Sequence, residues 1–213
     1  MGMVDHIEFL VEGASMKEAL NLLLPGILPD DVGFEVFDLG SKSQFLKKWP
    51  NRMRGYATWL PHVNRAVVGV IDADQDDCRG LRNELADAAR EAGLTVCSPS
   101  GNRRGQVLPR IAVEMLEAWY FGDVAALAAA YGPSLARLGI GSGCRRPDEI
   151  RDPARRLGGL LKGKHGAGLN KIQLARDVAG QMDIDRNTSP SFCRLRDGVR
   201  FLTTDQENHA SSN

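Results

Sequence analysis

The stretch that decides the fold is Ala66-Val67-Val68-Gly69-Val70-Ile71-Asp72-Ala73-Asp74. Its six consecutive apolar residues predict a strand that is buried on both faces, which is typical of the interior of a parallel sheet. Two carboxylates follow this strand at once, and a carboxylate directly after a buried strand is costly unless it has a partner. The stretch therefore predicts a central strand with a functional group at its carboxyl end.

Short apolar runs alternate with amphipathic stretches around this strand. Further strands are predicted at residues 7–11, 34–39 and 94–97, and Ser15-Met16-Lys17-Glu18 matches a capping box at the start of a first helix that ends near Pro25-Gly26. This alternation predicts an α/β fold with a central, mostly parallel sheet flanked by helices. We expect an α/β domain over residues 1–132, a mainly helical C-terminal extension over 133–202 packed on it, and a disordered polar tail over 203–213.

The composition argues against several classes of protein. Lys plus Arg and Asp plus Glu number 27 each in the 213 residues, so any nucleic-acid binding must come from local charge. The four cysteines form no C-x-x-C pair, which argues against a zinc knuckle and a disulfide scaffold. Charged residues interrupt the early apolar run, and no run is long enough for a membrane span. We therefore expect a cytoplasmic protein without a membrane segment.

Carboxylates follow two of the predicted strands. Glu12 ends the first strand, and Asp72 and Asp74 end the central one. The carboxyl ends of strands in an open α/β sheet meet at one edge, and residues two apart in an extended chain point the same way. Oxygen ligands favour a hard ion, so the pattern predicts a site for Mg²⁺ or Mn²⁺. Glu12 alone would also suit a solvated turn, and Asp76 or Asp77 the cap of the next helix.

A second acidic group lies further along the chain. Glu114 and Glu117 are three residues apart, so on a helix they would share a face. Together with Asp123 they would supply the second carboxylate cluster of a two-metal site. The alternative interpretation is that they are surface acids beside a buried Trp119.

Basic residues collect between positions 145 and 171 of this neutral chain. A phosphate backbone, an acidic protein partner or plain solvation would each suit such a run. Residues 158–165 are one residue short of a Walker A loop and follow no apolar strand, so we reject a P-loop. The candidates for contact with nucleic acid are Lys42, Arg145, Arg146, Arg155 and Lys164.

These motifs resemble those of a known domain. A strand ending in Glu-Gly, then a helix, and a later apolar strand ending in Asp-x-Asp form the pattern of the Toprim domain of topoisomerases, primases and overcoming-lysogenization-defect nucleases. Here the pattern is Val11-Glu12-Gly13 and Ile71-Asp72-Ala73-Asp74, within residues 5–125. More narrowly, the chain resembles the bacterial Toprim-like proteins known as domain of unknown function 4276. The features of that group are Glu12-Gly13-Ala14-Ser15, Asp72-Ala73-Asp74-x-Asp76-Asp77-Cys78, Glu117-Ala118-Trp119 with Asp123, and Ser189-Pro190-Ser191-Phe192.

The resemblance implies a Toprim-like, and hence Rossmann-like, fold and a metal-dependent phosphodiester chemistry. It implies that Asp72 and Asp74 bind Mg²⁺ or Mn²⁺ and that Glu12 is a ligand or general acid/base, so these three are the expected catalytic residues. Asp76 and Glu117 are further candidate ligands. The chain is too short to hold the separate tyrosine-nucleophile domain of a topoisomerase, so we expect hydrolysis by an activated water, with DNA or RNA as the substrate.

Other partners and functions stay open. By analogy we expect an ATPase partner in a phage-defence system and assembly of several copies. A catalytically silent Toprim-like module that binds and regulates such an ATPase is the alternative; the acidic triplet favours catalysis, because a scaffold has no need of that repulsion. An aspartyl phosphatase fits badly, because the Asp-x-Asp follows a later strand and is followed by Gln75.

Overall fold

The computed structural model describes residues 4–101, 104–139, 146–162 and 168–204. Its sheet consists of the strands β1 His6–Val11, β2 Gly33–Asp38, β3 Arg65–Asp72 and β4 Val107–Ala112. All neighbours are parallel, and their order is β2-β1-β3-β4. This open sheet, with helices on both faces, confirms the α/β, Rossmann-like architecture. The inner strands β1 and β3 lie side by side, so their carboxyl ends meet in the middle of one edge.

Helices connect and cover the strands. In the described part of the chain they are α1 Gly13–Ile27, α2 Lys42–Ala57, α3 Cys78–Glu91, α4 Leu116–Gly122, α5 Val124–Tyr131, α6 Pro153–Leu160, α7 Lys171–Ala179 and α8 Pro190–Thr203. Short 3₁₀ segments lie at Leu60–His62, Pro99–Gly101, Pro133–Gly139 and Pro147–Glu149.

The predicted central strand is confirmed, since residues 66–71 of β3 are buried throughout. One face of the sheet packs against α2 and α3, where Trp49 and Val67 belong to one buried cluster. The other face packs against α1 and α8, where Phe9 and Phe192 belong to a second. A strand with apolar layers on both sides needs the continuous apolar sequence that β3 carries.

Gly69 allows α2 to approach β3 closely. A Cβ atom at this position would lie 2.5 Å from the indole ring of Trp49. That ring stacks on Phe45, and its Nε1 donates a hydrogen bond of 3.0 Å to the carbonyl oxygen of Leu85 in α3. The ring therefore has little freedom to move, and a side chain at position 69 has no room.

The helix boundaries differ from those that the sequence predicts. The helix α1 begins at Gly13, which takes φ +77° and turns the chain directly out of β1, so Ser15 lies inside the helix and caps nothing. Pro25 lies within α1 and Pro50 within α2, and neither ends its helix. The packing of each apolar helix face outweighs the one backbone hydrogen bond that a proline removes.

The strand predicted at residues 94–97 is not a member of the sheet. Only Val96 pairs there, in an isolated parallel bridge to Val107. The side-chain oxygen of Gln106 accepts hydrogen bonds from the backbone N–H and the hydroxyl of Thr95, at 3.0 and 2.9 Å. The segment is thereby held along the edge of β4 without extending it.

The C-terminal helices share a core with the sheet. Leu174 of α7 and Leu195 of α8 belong to the same buried cluster as Phe9 of β1. The helical character predicted for residues 133–202 is confirmed where the chain is described, and α8 continues through Thr203; residues 205–213 lie outside the described residues. Among the described helices, none combines the length and the apolar character needed to cross a membrane.

Candidate metal centre

Glu12 and Asp72 lie together where the two inner strands end. Glu12 directly follows β1, and its backbone N–H donates to the carbonyl oxygen of Val70 at 3.1 Å. Asp72 is the last residue of β3, and its N–H donates to Oε2 of Glu12 at 3.2 Å. Burial raises the pKa of Glu12, although the N–H of Asp72 and the charge of Lys42 act in the opposite direction.

Asp72 is the most perturbed carboxyl group of this cluster. Its Oδ1 accepts a hydrogen bond of 3.0 Å from the backbone N–H of Leu116, at the start of α4. Burial raises the pKa of Asp72 well above its ordinary value, and the negative charges of Glu117 and Glu12 add to the effect, while Lys171 opposes it. Several carboxylates are therefore crowded into one small region, and their mutual repulsion favours the binding of a cation or a proton there.

Asp74 reaches the cluster through a turn and not through strand alternation. The strand ends at Asp72, and Asp74 takes the left-handed backbone conformation with φ +49°. Its N–H donates at 2.6 Å to the carbonyl oxygen of Glu114, which also has a positive φ, of +61°. Such a conformation costs free energy in a residue with a side chain, so the surrounding loop must hold it in place.

Lys42 joins the cluster from the first turn of α2. Its Nζ lies 2.7 Å from Oδ2 of Asp74 and 3.0 Å from Oδ2 of Asp76, and it donates to the carbonyl oxygen of Ala73 at 2.8 Å. Burial opposes protonation, but these hydrogen bonds raise the pKa of Lys42 overall. The lysine predicted to contact phosphate is thus paired with two carboxylates that were predicted to hold a metal.

Glu117 places a further carboxylate behind Asp72. Its side chain is only 2% exposed; Oε1 lies 3.2 Å from Nζ of Lys171 at the start of α7. Among the described residues, its Oε2 has no hydrogen-bond partner, and neither has the buried hydroxyl of Tyr120. Burial, and then the charges of Glu117 and Asp72, raise the pKa of Tyr120 far above its ordinary value. Sequence reasoning missed Lys171 and Tyr120 as neighbours, although Tyr120 follows Glu117 by three residues on one helix face.

Two of the other acidic candidates lie elsewhere. Glu114 precedes α4, so it does not share a helix face with Glu117 as predicted. The carboxylate of Asp123 is fully engaged, because it binds Arg186 through both oxygens at 3.0 and 2.9 Å and caps α5 through the N–H of Ala126. Its contacts are those of a structural residue, and it supplies no second carboxylate cluster.

The late Ser-Pro-Ser-Phe motif supports α4 from behind. Ser189 caps α8, and its hydroxyl donates to Oδ1 of Asp148 at 2.5 Å. The hydroxyl of Ser191 accepts a hydrogen bond of 2.9 Å from Nε1 of Trp119, two residues after Glu117. The motif therefore holds in place the helix α4 that carries Glu117, and its described contacts form no separate functional site.

The predicted nucleic-acid contacts are only partly described. Arg146 is exposed and pairs with Glu149 at 3.0 Å, and Arg155 is exposed on α6. Arg145 and Lys164 lie outside the described residues. Arg146 and Arg155 do not join the acidic cluster, and a role of any of the four basic residues in binding nucleic acid stays a prediction.

The carboxylates of this cluster are chemically suited to bind a hard divalent cation. Glu12, Asp72, Asp74 and Glu117 offer only carboxylate oxygens as ligands. In the described part of the chain the buried Oε2 of Glu117 has no hydrogen-bond partner, so this oxygen is available as a ligand. Within residues 4–101, 104–139, 146–162 and 168–204, however, no three His, Cys, Asp or Glu side chains are arranged to hold a metal ion as they stand. Because Lys42 already pairs with Asp74, a cation that used Asp74 would have to displace that ammonium group.

The fold and the acidic edge define a Rossmann-like α/β protein with carboxylates clustered where its two inner strands end. Within that class the chain belongs to the family described as a domain of unknown function, DUF4276, whose profile matches residues 11–200. The match includes every residue of the acidic cluster and the helices that support it. No curated protein and no solved structure matches the chain. The relation of this family to the Toprim domain stays a prediction.

Proposed function

We propose that this protein is a metal-dependent phosphodiester hydrolase, a nuclease that acts on DNA or RNA in the cytoplasm. The observation that carries the proposal is the group of crowded carboxylates at the sheet edge, in which the buried Oε2 of Glu117 has no hydrogen-bond partner among the described residues and Asp72 is held beside Glu12. Lys42 and Lys171 neutralise part of this charge, and sites that bind phosphate through Mg²⁺ or Mn²⁺ use such oxygen ligands.

In this proposal Asp72 and Asp74, with Glu12, Asp76 or Glu117, hold the ion. The ion would supply a nucleophile at neutral pH and neutralise charge on the phosphate. Burial raises the pKa of Glu12 above its ordinary value, and this direction suits a general acid/base that would accept a proton from water or donate one to the leaving oxygen. Lys171 keeps Oε1 of Glu117 paired, and Lys42 can turn from Asp74 toward a phosphate oxygen when the ion binds.

The first test is calorimetric titration of Mg²⁺ and Mn²⁺ into the purified protein. We expect binding by the wild type and none by the Glu12→Gln, Asp72→Asn, Asp74→Asn triple variant. The matched control is Asp30→Asn, Asp31→Asn, Glu35→Gln, which removes the same charge from exposed residues near the opposite edge of the sheet and should bind like the wild type. Equal binding by the wild type and the site variant would refute the site.

Cleavage is then tested with labelled single-stranded DNA, duplex DNA and RNA in Mn²⁺. We expect cleavage of at least one substrate by the wild type and the control, and none by the triple variant or in chelator. A product that is formed equally by the triple variant would show that the acidic edge does not carry the activity.

The alternative function is a catalytically silent module that binds and regulates a partner ATPase. The observation that favours it is the pairing of Lys42 with Asp74 and Asp76, which neutralises part of the cluster without a metal. Such a module would bind no Mn²⁺, cleave no substrate, and retain its affinity for the ATPase in the triple variant. A hydrolase would lose its activity in the triple variant, so these measurements on the same protein samples distinguish the two functions.

A further inference from the structure

A cleft of about 380 Å³ lies alongside β4, which is the outermost strand on one side of the sheet. Its walls come from α3 on one face of the sheet, from α8 on the other, and from residues 96–100 between them. The volume lies within the range of small-molecule sites. The cleft shares no residue with the acidic cluster, so it is a separate feature of the fold.

Positive charge dominates this cleft. Asp197 is the one acidic residue in its described lining, and its carboxylate is engaged by Nε of Arg196 at 2.8 Å. In the described chain no carboxylate lies within ion-pair distance of Arg82, Arg110 or Arg194. The arginines that line the cleft are Arg82 and Arg90 of α3, Arg110 of β4 and Arg194 of α8.

Arg110 is built into the floor of the cleft. Its Nε donates to the carbonyl oxygen of Arg194 at 2.8 Å and its Nη1 to that of Pro109 at 2.9 Å, while Nη2 donates to no acceptor among the described residues. Gly198 of α8 makes room for the guanidinium group, because a methyl group there would collide with Nη2. A glycine inside a helix costs stability, so the close approach of Arg110 is a defined part of the packing.

The charge of Arg110 has no direct carboxylate partner among the described residues. Burial, together with the charges of Arg82 and Arg194, lowers the pKa of Arg110 to about 10, although Cys97 and Asp197 act in the opposite direction, so the group is still a cation at neutral pH. A desolvated cation that is bonded only to carbonyl oxygens costs free energy, which an anion in the cleft would offset.

We infer that this cleft binds a small phosphorylated ligand of mononucleotide size, whose phosphate is held by Arg82, Arg110 and Arg194. Guanidinium groups match phosphate oxygens with paired hydrogen bonds, and three of them suit a dianion better than a single carboxylate. The helices α3 and α8 bound the cleft on two sides, and its volume of about 380 Å³ suits a small ligand. This site needs no metal, and it stands whether or not the acidic edge is catalytic.

The test is calorimetric titration in chelator with three probes, AMP, inorganic phosphate and adenosine. We expect AMP and phosphate to bind the wild type and adenosine to give no binding. The Arg82→Gln, Arg194→Gln variant alters two exposed side chains without ion-pair partners, so it should fold normally. It should bind AMP at least about tenfold more weakly, since charged hydrogen bonds to the phosphate are lost.

The matched control is Arg65→Gln, Arg79→Gln, which removes two exposed arginines outside the cleft and should bind AMP like the wild type. Several results would overturn the inference. They are no binding of AMP or phosphate at millimolar concentration, equal binding by the cleft variant, an equal loss in the control, and adenosine binding as tight as that of AMP. Arginine-dependent binding of single-stranded DNA without binding of AMP or phosphate would also overturn it, and would assign the cleft to nucleic acid.

Discussion

Single residues set how much negative charge the sheet edge holds. The folded-state pKa of Asp72 lies above its value in the unfolded chain, because burial and the charges of Glu117 and Glu12 disfavour its ionised form. The folded protein therefore binds this proton more tightly than the unfolded chain does. Without a divalent ion, the contribution of Asp72 to the free energy of unfolding therefore falls as the pH rises above the ordinary pKa of an aspartate, about 4.

The Asp72→Asn variant should remove this pH dependence. The amide oxygen can still accept the N–H of Leu116, while the charge is lost. In chelator near neutral pH we expect the variant to be more stable than the wild type by about 0.5–2 kcal/mol, and the difference to shrink toward pH 4. Urea unfolding across this range measures it, with exposed Asp30→Asn as control. If the free energy of unfolding changed with pH in the same way in the wild type and the variant, the expected crowding of charge around Asp72 would be contradicted.

Lys42 should compete with a metal ion for Asp74, since its Nζ lies 2.7 Å from that carboxylate. Removing this charge in Lys42→Gln should tighten Mn²⁺ binding by about fivefold, the effect of one unit charge at close range in a well-solvated site. Calorimetry measures the change. Lys47→Gln, on the exposed face of the same helix, should leave Mn²⁺ affinity unaltered. Weaker Mn²⁺ binding in Lys42→Gln would show that the lysine supports the ion and does not compete with it.

At the scale of secondary structure, apolar periodicity predicts which residues lie at the ends of strands, but it predicts little of which residues a turn brings to the same place. The strand before Asp72 and the position of Glu12 follow from local sequence, because strand ends of a parallel sheet meet at one edge. Asp74 reaches the same place through a left-handed turn, which periodicity does not encode. The pairs Glu117–Lys171 and Asp123–Arg186 join residues far apart in the chain, so only the packing of helices reveals them.

The contact between α2 and β3 gives a prediction at this scale. Gly69→Ala should destabilise the protein by about 1–3 kcal/mol, because the new methyl group collides with the ring of Trp49. Gly55→Ala in α2 meets no atom within 4 Å, and it should stabilise the protein by about 0.5–1 kcal/mol. Chemical unfolding followed by tryptophan fluorescence compares the two. Similar stability in both variants would mean that α2 shifts freely on the sheet.

At the scale of the whole molecule, the C-terminal helices complete both the core and the acidic edge. The buried cluster that contains Phe9 of β1 includes Leu174 of α7 and Phe192 of α8. Lys171 of α7 is also the ion-pair partner of Glu117. The sequence-based division at residue 132 therefore separates residues that are packed together.

A chain that ends at residue 132 should not fold on its own. It lacks the helices that cover the apolar face of α1 and the counter-ion of Glu117, so we expect dispersed amide proton resonances in the full chain and collapsed ones in the truncated chain. Supplying residues 133–213 as a separate polypeptide should partly restore dispersion. A dispersed spectrum and a cooperative urea transition for residues 1–132 alone would show an independent domain.

The position of β1 in this fold has a consequence for synthesis on the ribosome. The first strand to emerge needs β3 as a neighbour, and α1 needs helices from the last third of the chain as a cover. At about 5–20 residues per second, the apolar face of α1 waits roughly ten seconds or more for that cover. During this interval the nascent chain exposes the apolar face of an amphipathic helix, so we expect its yield in the cell to rise with chaperones that shield emerging chains.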